Sequence, residues 1–140
     1  MKAVNPYLNF NGNTEEAFNF YKSVFGGEFI SVMRFGDTPG CESMPEAEKN
    51  GIMHIALQMG SNILMGTDVP KSMEVSFGTN QSICIDTESR EETDRFFNAL
   101  AEGGKVAMPL QDMFWGDYYG MLTDKFGIQW MLSFAQNREK

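Results

Sequence analysis

Residues 111–134 read QDMFWGDYYGMLTDKFGIQWMLSF. Two stretches of strand character, 117–123 and 128–134, flank Asp124-Lys125-Phe126-Gly127, which reads as a tight turn. Both tryptophans and two of the four tyrosines of the chain lie here. A packed aromatic hairpin accounts for the aromatics on the strands. It does not account for Phe114-Trp115-Gly116-Asp117, where bulky rings crowd into a loop. A loop that carries such rings often covers a cavity.

Outward from this hairpin the chain reads as a repeat. Residues 3–10 form a strand pattern, with Pro6 marking a strand start or an edge. Asn13 and Glu16 have the spacing of a capping box. Ala17, Phe18, Tyr21, Val24 and Phe25 keep helical spacing, and Gly26-Gly27 stops the helix. Strands are expected at 28–35, 52–59 and 62–67, the last two joined at Gly60-Ser61. A loop covers 36–50, with one helical turn at Pro45–Lys49. After a connector at 68–79 the order begins again. A strand at 81–86 precedes a second box, Ser89 with Glu92. Thr93, Phe96, Phe97, Leu100 and Ala101 then keep helical spacing up to Gly103-Gly104. A strand at 105–110 leads into the opening hairpin. The two boxes lie 76 residues apart and the two glycine pairs 77 apart.

Strand, helix and three strands, twice over, predict an α+β fold of two tandem βαβββ modules, at about 1–68 and 79–135, in one domain over 1–140. Helices are expected at 14–25 and 90–102. Each sheet keeps one helix on one face, so the other face must be covered. A cupped mixed sheet around a shared pocket is the expected solution.

The totals narrow the function. The chain has 140 residues and a net charge of −8, from 11 basic and 19 acidic residues. Phosphate backbones are bound by clustered Lys and Arg, and no such cluster occurs, so nucleic acid is not an expected partner. No apolar run reaches membrane-spanning length. MKAVNPYLNF has no signal-peptide core, and a cytoplasmic location is expected. Cys41 and Cys84 follow no metal or redox spacing. Cys84, in Ser82-Ile83-Cys84-Ile85, is expected to be a small buried residue, and Cys41 lies in the long loop. Glu15, Glu16, Glu91 and Glu92 sit in first helical turns, where they suit the helix dipole.

Several stretches in this order resemble one family. They are Pro6-Tyr7-Leu8-Asn9-Phe10-Asn11-Gly12-Asn13, Ala17-Phe18, Phe25-Gly26-Gly27, Met53-His54, Leu64-Met65-Gly66, Phe114-Trp115-Gly116-Asp117 and Asp124-Lys125-Phe126-Gly127. Together they resemble the vicinal-oxygen-chelate superfamily of glyoxalase I, bleomycin-resistance proteins and extradiol dioxygenases, and within it the PhnB-like branch. The resemblance implies paired βαβββ modules and a homodimer. Metal-using relatives carry four ligands on the cupped surface, and the aligned positions here hold Pro6, Leu64, Ser82 and Met131. Met and Ser are poor ligands for a hard divalent ion, and Pro and Leu are none. No metal and no cofactor is therefore expected. The branch also carries a demethylubiquinone-methyltransferase label. Both Gly-Gly pairs follow helices rather than strands, so neither reads as a nucleotide loop.

Two functional readings follow. The first is a small-molecule-binding protein. Leu8, Leu64, Ser82 and Met131 would line the cup, with Trp115 and either Tyr118 or Tyr119 as walls, and an apolar or aromatic ligand would fit. The adjacent tyrosines point to opposite faces of their strand, so at most one of them faces a ligand. The second is a superfamily enzyme: a lyase, isomerase or dioxygenase. It would need an atypical metal site or metal-free acid–base chemistry, with His54 and Asp117 as candidate catalytic residues. His54 is the only histidine, which excludes any site needing two imidazoles from one chain. Its plainest role is a hydrogen bond across its sheet.

Overall fold

The structure is a computed structural model that describes residues 1–136. The chain divides into two compact units, Met1–Ser76 and Phe77–Lys140. The first contains β1 (Tyr7–Phe10), α1 (Thr14–Phe25), β2 (Glu28–Arg34), a short helical turn α2 (Glu46–Lys49), β3 (Ile52–Met59) and β4 (Asn62–Asp68). The second contains β5 (Ile83–Asp86), α3 (Arg90–Ala101), β6 (Lys105–Asp112), β7 (Asp117–Thr123) and β8 (Gln129–Ala135). Each unit forms a four-stranded mixed sheet, ordered β1-β4-β3-β2 and β5-β8-β7-β6. The first strand of each pairs in parallel with the last, and the other pairs are antiparallel. The fold is α+β, two βαβββ modules in tandem, as the repeat predicts.

In the first unit Ala17, Phe18 and Tyr21 place one face of α1 on the sheet and are fully buried. Phe18 meets Phe10 edge-to-face at 6.4 Å and Tyr21 at 5.6 Å. Gly66 makes room for this contact, because a Cβ there would stand 2.6 Å from Phe18 Cε1. Burying each such ring contributes about 1.5–3 kcal/mol. Gly26, at φ 79°, ends α1 and returns its N–H to the Lys22 carbonyl. In the second unit α3 does the same through Thr93, Phe97 and Leu100. There Gly120 of β7 lies against Phe97.

The helix starts differ from expectation. Asn13 makes no side-chain cap. The cap comes from the far end of the module, where buried Asp68 accepts Thr14 N–H at 3.0 Å and the Thr14 hydroxyl at 2.6 Å through Oδ1. Its Oδ2 accepts Ile52 N–H at 2.8 Å. A charged acceptor on the last residue of β4 outcompetes the local amide of Asn13. Ser89 does cap α3, accepting Glu92 N–H at 3.0 Å. The Glu92 carboxylate reaches Glu88 N–H rather than Ser89, so the box closes one residue early. β1 begins at Tyr7, four residues later than the pattern at 3–10 suggested, since only from there do its residues pair with β4. No helix among the described residues is long and apolar enough to cross a membrane.

Candidate functional site

Strand alternation divides each sheet into a helix-covered face and a helix-free face. On β7, Tyr118, Gly120 and Leu122 lie towards α3, and Asp117, Tyr119, Met121 and Thr123 point the other way. The β7–β8 register carries this across: Tyr119 faces Ser133, and Met121 faces Met131. On the parallel side Met131 faces Cys84 and Ser133 faces Asp86.

The β6–β7 connection brings Trp115 to the same face. β6 ends at Asp112, and Met113 N–H bonds the Asp117 carbonyl at 2.8 Å. Gly116, at φ 104°, turns the chain with its N–H on the Met113 carbonyl. The tip leaves Phe114 at 96% exposure and Trp115 at 52%. The Trp115 ring stands 6.3 Å from Tyr119 at 61°, and its Nε1–H donates to Asp117 Oδ2 at 3.1 Å. Ser133 Oγ–H donates to the same oxygen at 3.4 Å. Burial pushes the Tyr119 phenol above its usual range, and the nearby Cys84 adds to the effect. Of the candidates read from sequence, Trp115, Tyr119, Met131 and Asp117 therefore stand together on one face.

Other candidates stand elsewhere. Tyr118 faces α3, where its hydroxyl donates to Asp94 Oδ1 at 2.6 Å and the Arg90 guanidinium lies 3.8 Å from its ring. Those contacts leave it no part in the helix-free face. The bond to Asp94 is the main cause raising its phenol, with burial second. Leu64 is 2% exposed on the helix side of β4, and Leu8 pairs with Gly66 on that same side. Both assignments were out by one residue, which in a strand exchanges the two faces. The helix-free residues of these strands are Tyr7, Asn9, Ile63, Met65 and Thr67. Ser82 is exposed, one residue before β5. Cys84 is exposed rather than buried, because its alternation sets it beside Met131. His54 lies on the helix-free face of the first sheet. Its Nδ1 is 3.1 Å from Ser31 Oγ, and its ring is 5.9 Å from that of Tyr7. This is the cross-sheet hydrogen bond expected of it.

The first unit also holds a cavity of about 430 Å³ at the start of α1. Phe35, Met44, Ala47, Val69 and Pro70 provide its apolar wall, with Asn11, Glu48, Lys71 and Glu74 around it. None of the candidate residues lines it. Its buried carboxylate, Asp68, is committed to three hydrogen bonds that hold α1 and β3 in place. The cavity is framed by structural contacts, whereas the Trp115 face presents aromatic, polar and flexible side chains together.

The donor set does not suit a hard divalent metal. Pro6 precedes β1 and engages Met65 N–H only through its carbonyl, and Leu64 is turned to the helix. Among the described residues no three His, Cys, Asp or Glu side chains come together.

Ser133 was not singled out from sequence. Its signal was present: it is two residues beyond Met131, so it shares that residue's face.

A family model described as 3-demethylubiquinone-9 3-methyltransferase matches residues 2–133. The chain is similar to protein PA1353 from Pseudomonas aeruginosa, at 41% identity and a TM-score of 0.88, over 98% of this chain and all of that one. It is similar to the PhnB protein from Bacillus cereus, at 28% identity and a TM-score of 0.77, over 96% of this chain and all of that one. A glyoxalase-related enzyme from Fulvimarina pelagi shares the fold, with 18% identity and a TM-score of 0.63, over 96% of this chain and 88% of that one. The chain belongs to the 3-demethylubiquinone-9 3-methyltransferase family, and it shares its fold with the PhnB protein and with the glyoxalase-related enzyme.

Proposed function

We propose that this protein binds a small apolar or aromatic molecule on the helix-free face of its second module, without the superfamily's divalent metal. The observation that carries the proposal is the meeting of Trp115, Asp117, Tyr119, Met131 and Ser133 on one face. Two rings set at 61° provide flat apolar surfaces for a planar ligand. Asp117 and Ser133 provide polar groups to orient it, and the methionines a floor that adapts to its shape. The indole N–H bond to Asp117 sets the Trp115 ring beside Tyr119, where a ligand would meet both.

The methyltransferase named in the family's description is not part of this proposal. A nucleoside-type methyl donor is ordinarily held by a glycine-rich loop between a strand and a helix, at the switch point of a largely parallel sheet. Here Gly26-Gly27 and Gly103-Gly104 follow helices, and each sheet has one parallel pair and two antiparallel pairs.

A thermal-shift screen of small aromatic compounds, with and without divalent ions, tests the proposal. Compounds that stabilise the native protein equally in both conditions, and fail to stabilise Trp115→Ala, support it. Stabilisation that requires a divalent ion, or that survives in Trp115→Ala, contradicts it.

A further inference from the structure

Register places four sulfur side chains in one row across the second sheet. Met108 of β6 pairs with Met121 of β7, Met121 with Met131 of β8, and Met131 with Cys84 of β5. Cys84, Met131 and Met121 lie on the helix-free face, and Trp130, Leu122 and Leu132 fill the other face; Met108 sits between two register shifts of β6. Directly paired residues of antiparallel strands have Cβ atoms about 4.5–5.5 Å apart, and the parallel neighbour β5 lies about 4.8 Å from β8. Each methionine carries its sulfur on a stem with three rotatable bonds. Sulfurs from three adjacent strands can therefore converge above the middle one, whereas a fourth strand is a further ~4.8 Å away.

Thioether and thiolate sulfur are poor partners for hard divalent ions and good ones for soft ions such as Cu(I). We propose that Met121, Met131 and Cys84 form a three-coordinate site for a soft monovalent cation, Cu(I) or its analogue Ag(I). Binding replaces the thiol proton: Cys84–SH and the cation give the Cys84–S–metal bond and one released proton, with no change in oxidation state. Ser133 and Tyr119, one row along, border the site on the side of Trp115.

Cys41 is a second free thiol, so the test uses a Cys41→Ser background. Cu(I) is titrated anaerobically into this protein against a chromophoric Cu(I) chelator, and proton release is measured in weak buffer. One tightly held ion and one released proton per chain are expected. Met131→Leu and Met121→Leu should each weaken binding by about tenfold or more, and Cys84→Ser should abolish the tight site. Met33→Leu, on the first sheet, should change nothing. Leucine conserves volume, so circular dichroism should confirm that every variant is folded. If the chelator retains all the copper, or if both methionine variants bind as tightly as the background, the row is only an apolar floor and the proposal fails.

Discussion

The Trp130 indole N–H donates to Asp124 Oδ2 at 2.8 Å, deep on the helix side of the second sheet. Asp124 Oδ1 accepts the N–H groups of Phe126 and Ile128 at 2.8 and 3.1 Å. One buried carboxylate thus closes the β7–β8 turn and fixes the core tryptophan to it. Asp124→Ala leaves a buried indole donor and two turn amides without this acceptor, and should cost about 2–4 kcal/mol in urea denaturation. Asp124→Asn, which keeps an oxygen acceptor, should cost less. A fully stable Asp124→Ala would show that the turn holds itself.

The Arg34–Glu15 pair should make a small, pH-dependent contribution. Arg34 grips Glu15 through two hydrogen bonds, at 3.0 and 2.7 Å, and this lowers the Glu15 carboxyl. A lowered folded value means that the stabilisation is present above the ordinary range near 4.5 and is lost as pH falls through the lowered value. The side chains are 34% and 50% exposed, so solvent screens the pair. Glu15→Gln should therefore cost no more than about 1 kcal/mol at pH 7. The difference between Glu15→Gln and the parent should vanish in strong acid. A difference that grows as the pH falls would reverse the assignment.

Hard divalent ions should be dispensable. Dialysis against a chelator should leave the melting temperature and any ligand-induced shift unchanged. Stoichiometric zinc, nickel, manganese or iron in protein purified without added metal, with ligand binding lost on its removal, would contradict this.

A homodimer is expected in solution. β2 is the last strand of its sheet and exposes Ile30, Val32 and Met33 at 53%, 44% and 41%. An apolar edge strand of this kind calls for a partner. Sedimentation at micromolar concentration should show a dimer, and Val32→Lys should shift it towards monomer. Monomer alone in the parent protein would contradict the expectation.

The elements were legible because period, caps and glycine stops agreed. The structured cores of both helices, and strands β3 and β7, fall where the pattern placed them. Faces were harder to read. Leu8 and Leu64 were assigned to the wrong side because their strands, YLNF and NILMGTD, carry apolar residues on both faces. Only the pairing of Gly66 under Phe18 settles the side. The isoleucines that flank Cys84 predict a buried thiol, yet they face the helix and turn it outward. In the sequence Asp68 reads as the start of a connector. Its role as the cap of α1 depends on a contact 54 residues away in sequence, which no local pattern encodes. The sequence names Trp115, Asp117 and one of Tyr118 and Tyr119, and the choice between the two tyrosines needs the packing of β7 on α3, where Tyr118 bonds Asp94. Ser133 needed the β7–β8 register.

The most direct test of ligand binding at Trp115 is tryptophan emission in two single-tryptophan proteins, using a compound that raises the melting temperature of the parent. Trp130→Phe leaves Trp115 as the reporter and should lose about 1–3 kcal/mol of stability from its imperfectly refilled core site. Trp115→Phe leaves buried Trp130 as the reporter and should stay folded. The compound should quench or shift the emission of the Trp130→Phe protein and leave that of the Trp115→Phe protein unchanged. A response confined to Trp130, or a Trp115→Phe protein that unfolds, would show that the Phe114–Asp117 loop is structural and that the ligand binds elsewhere.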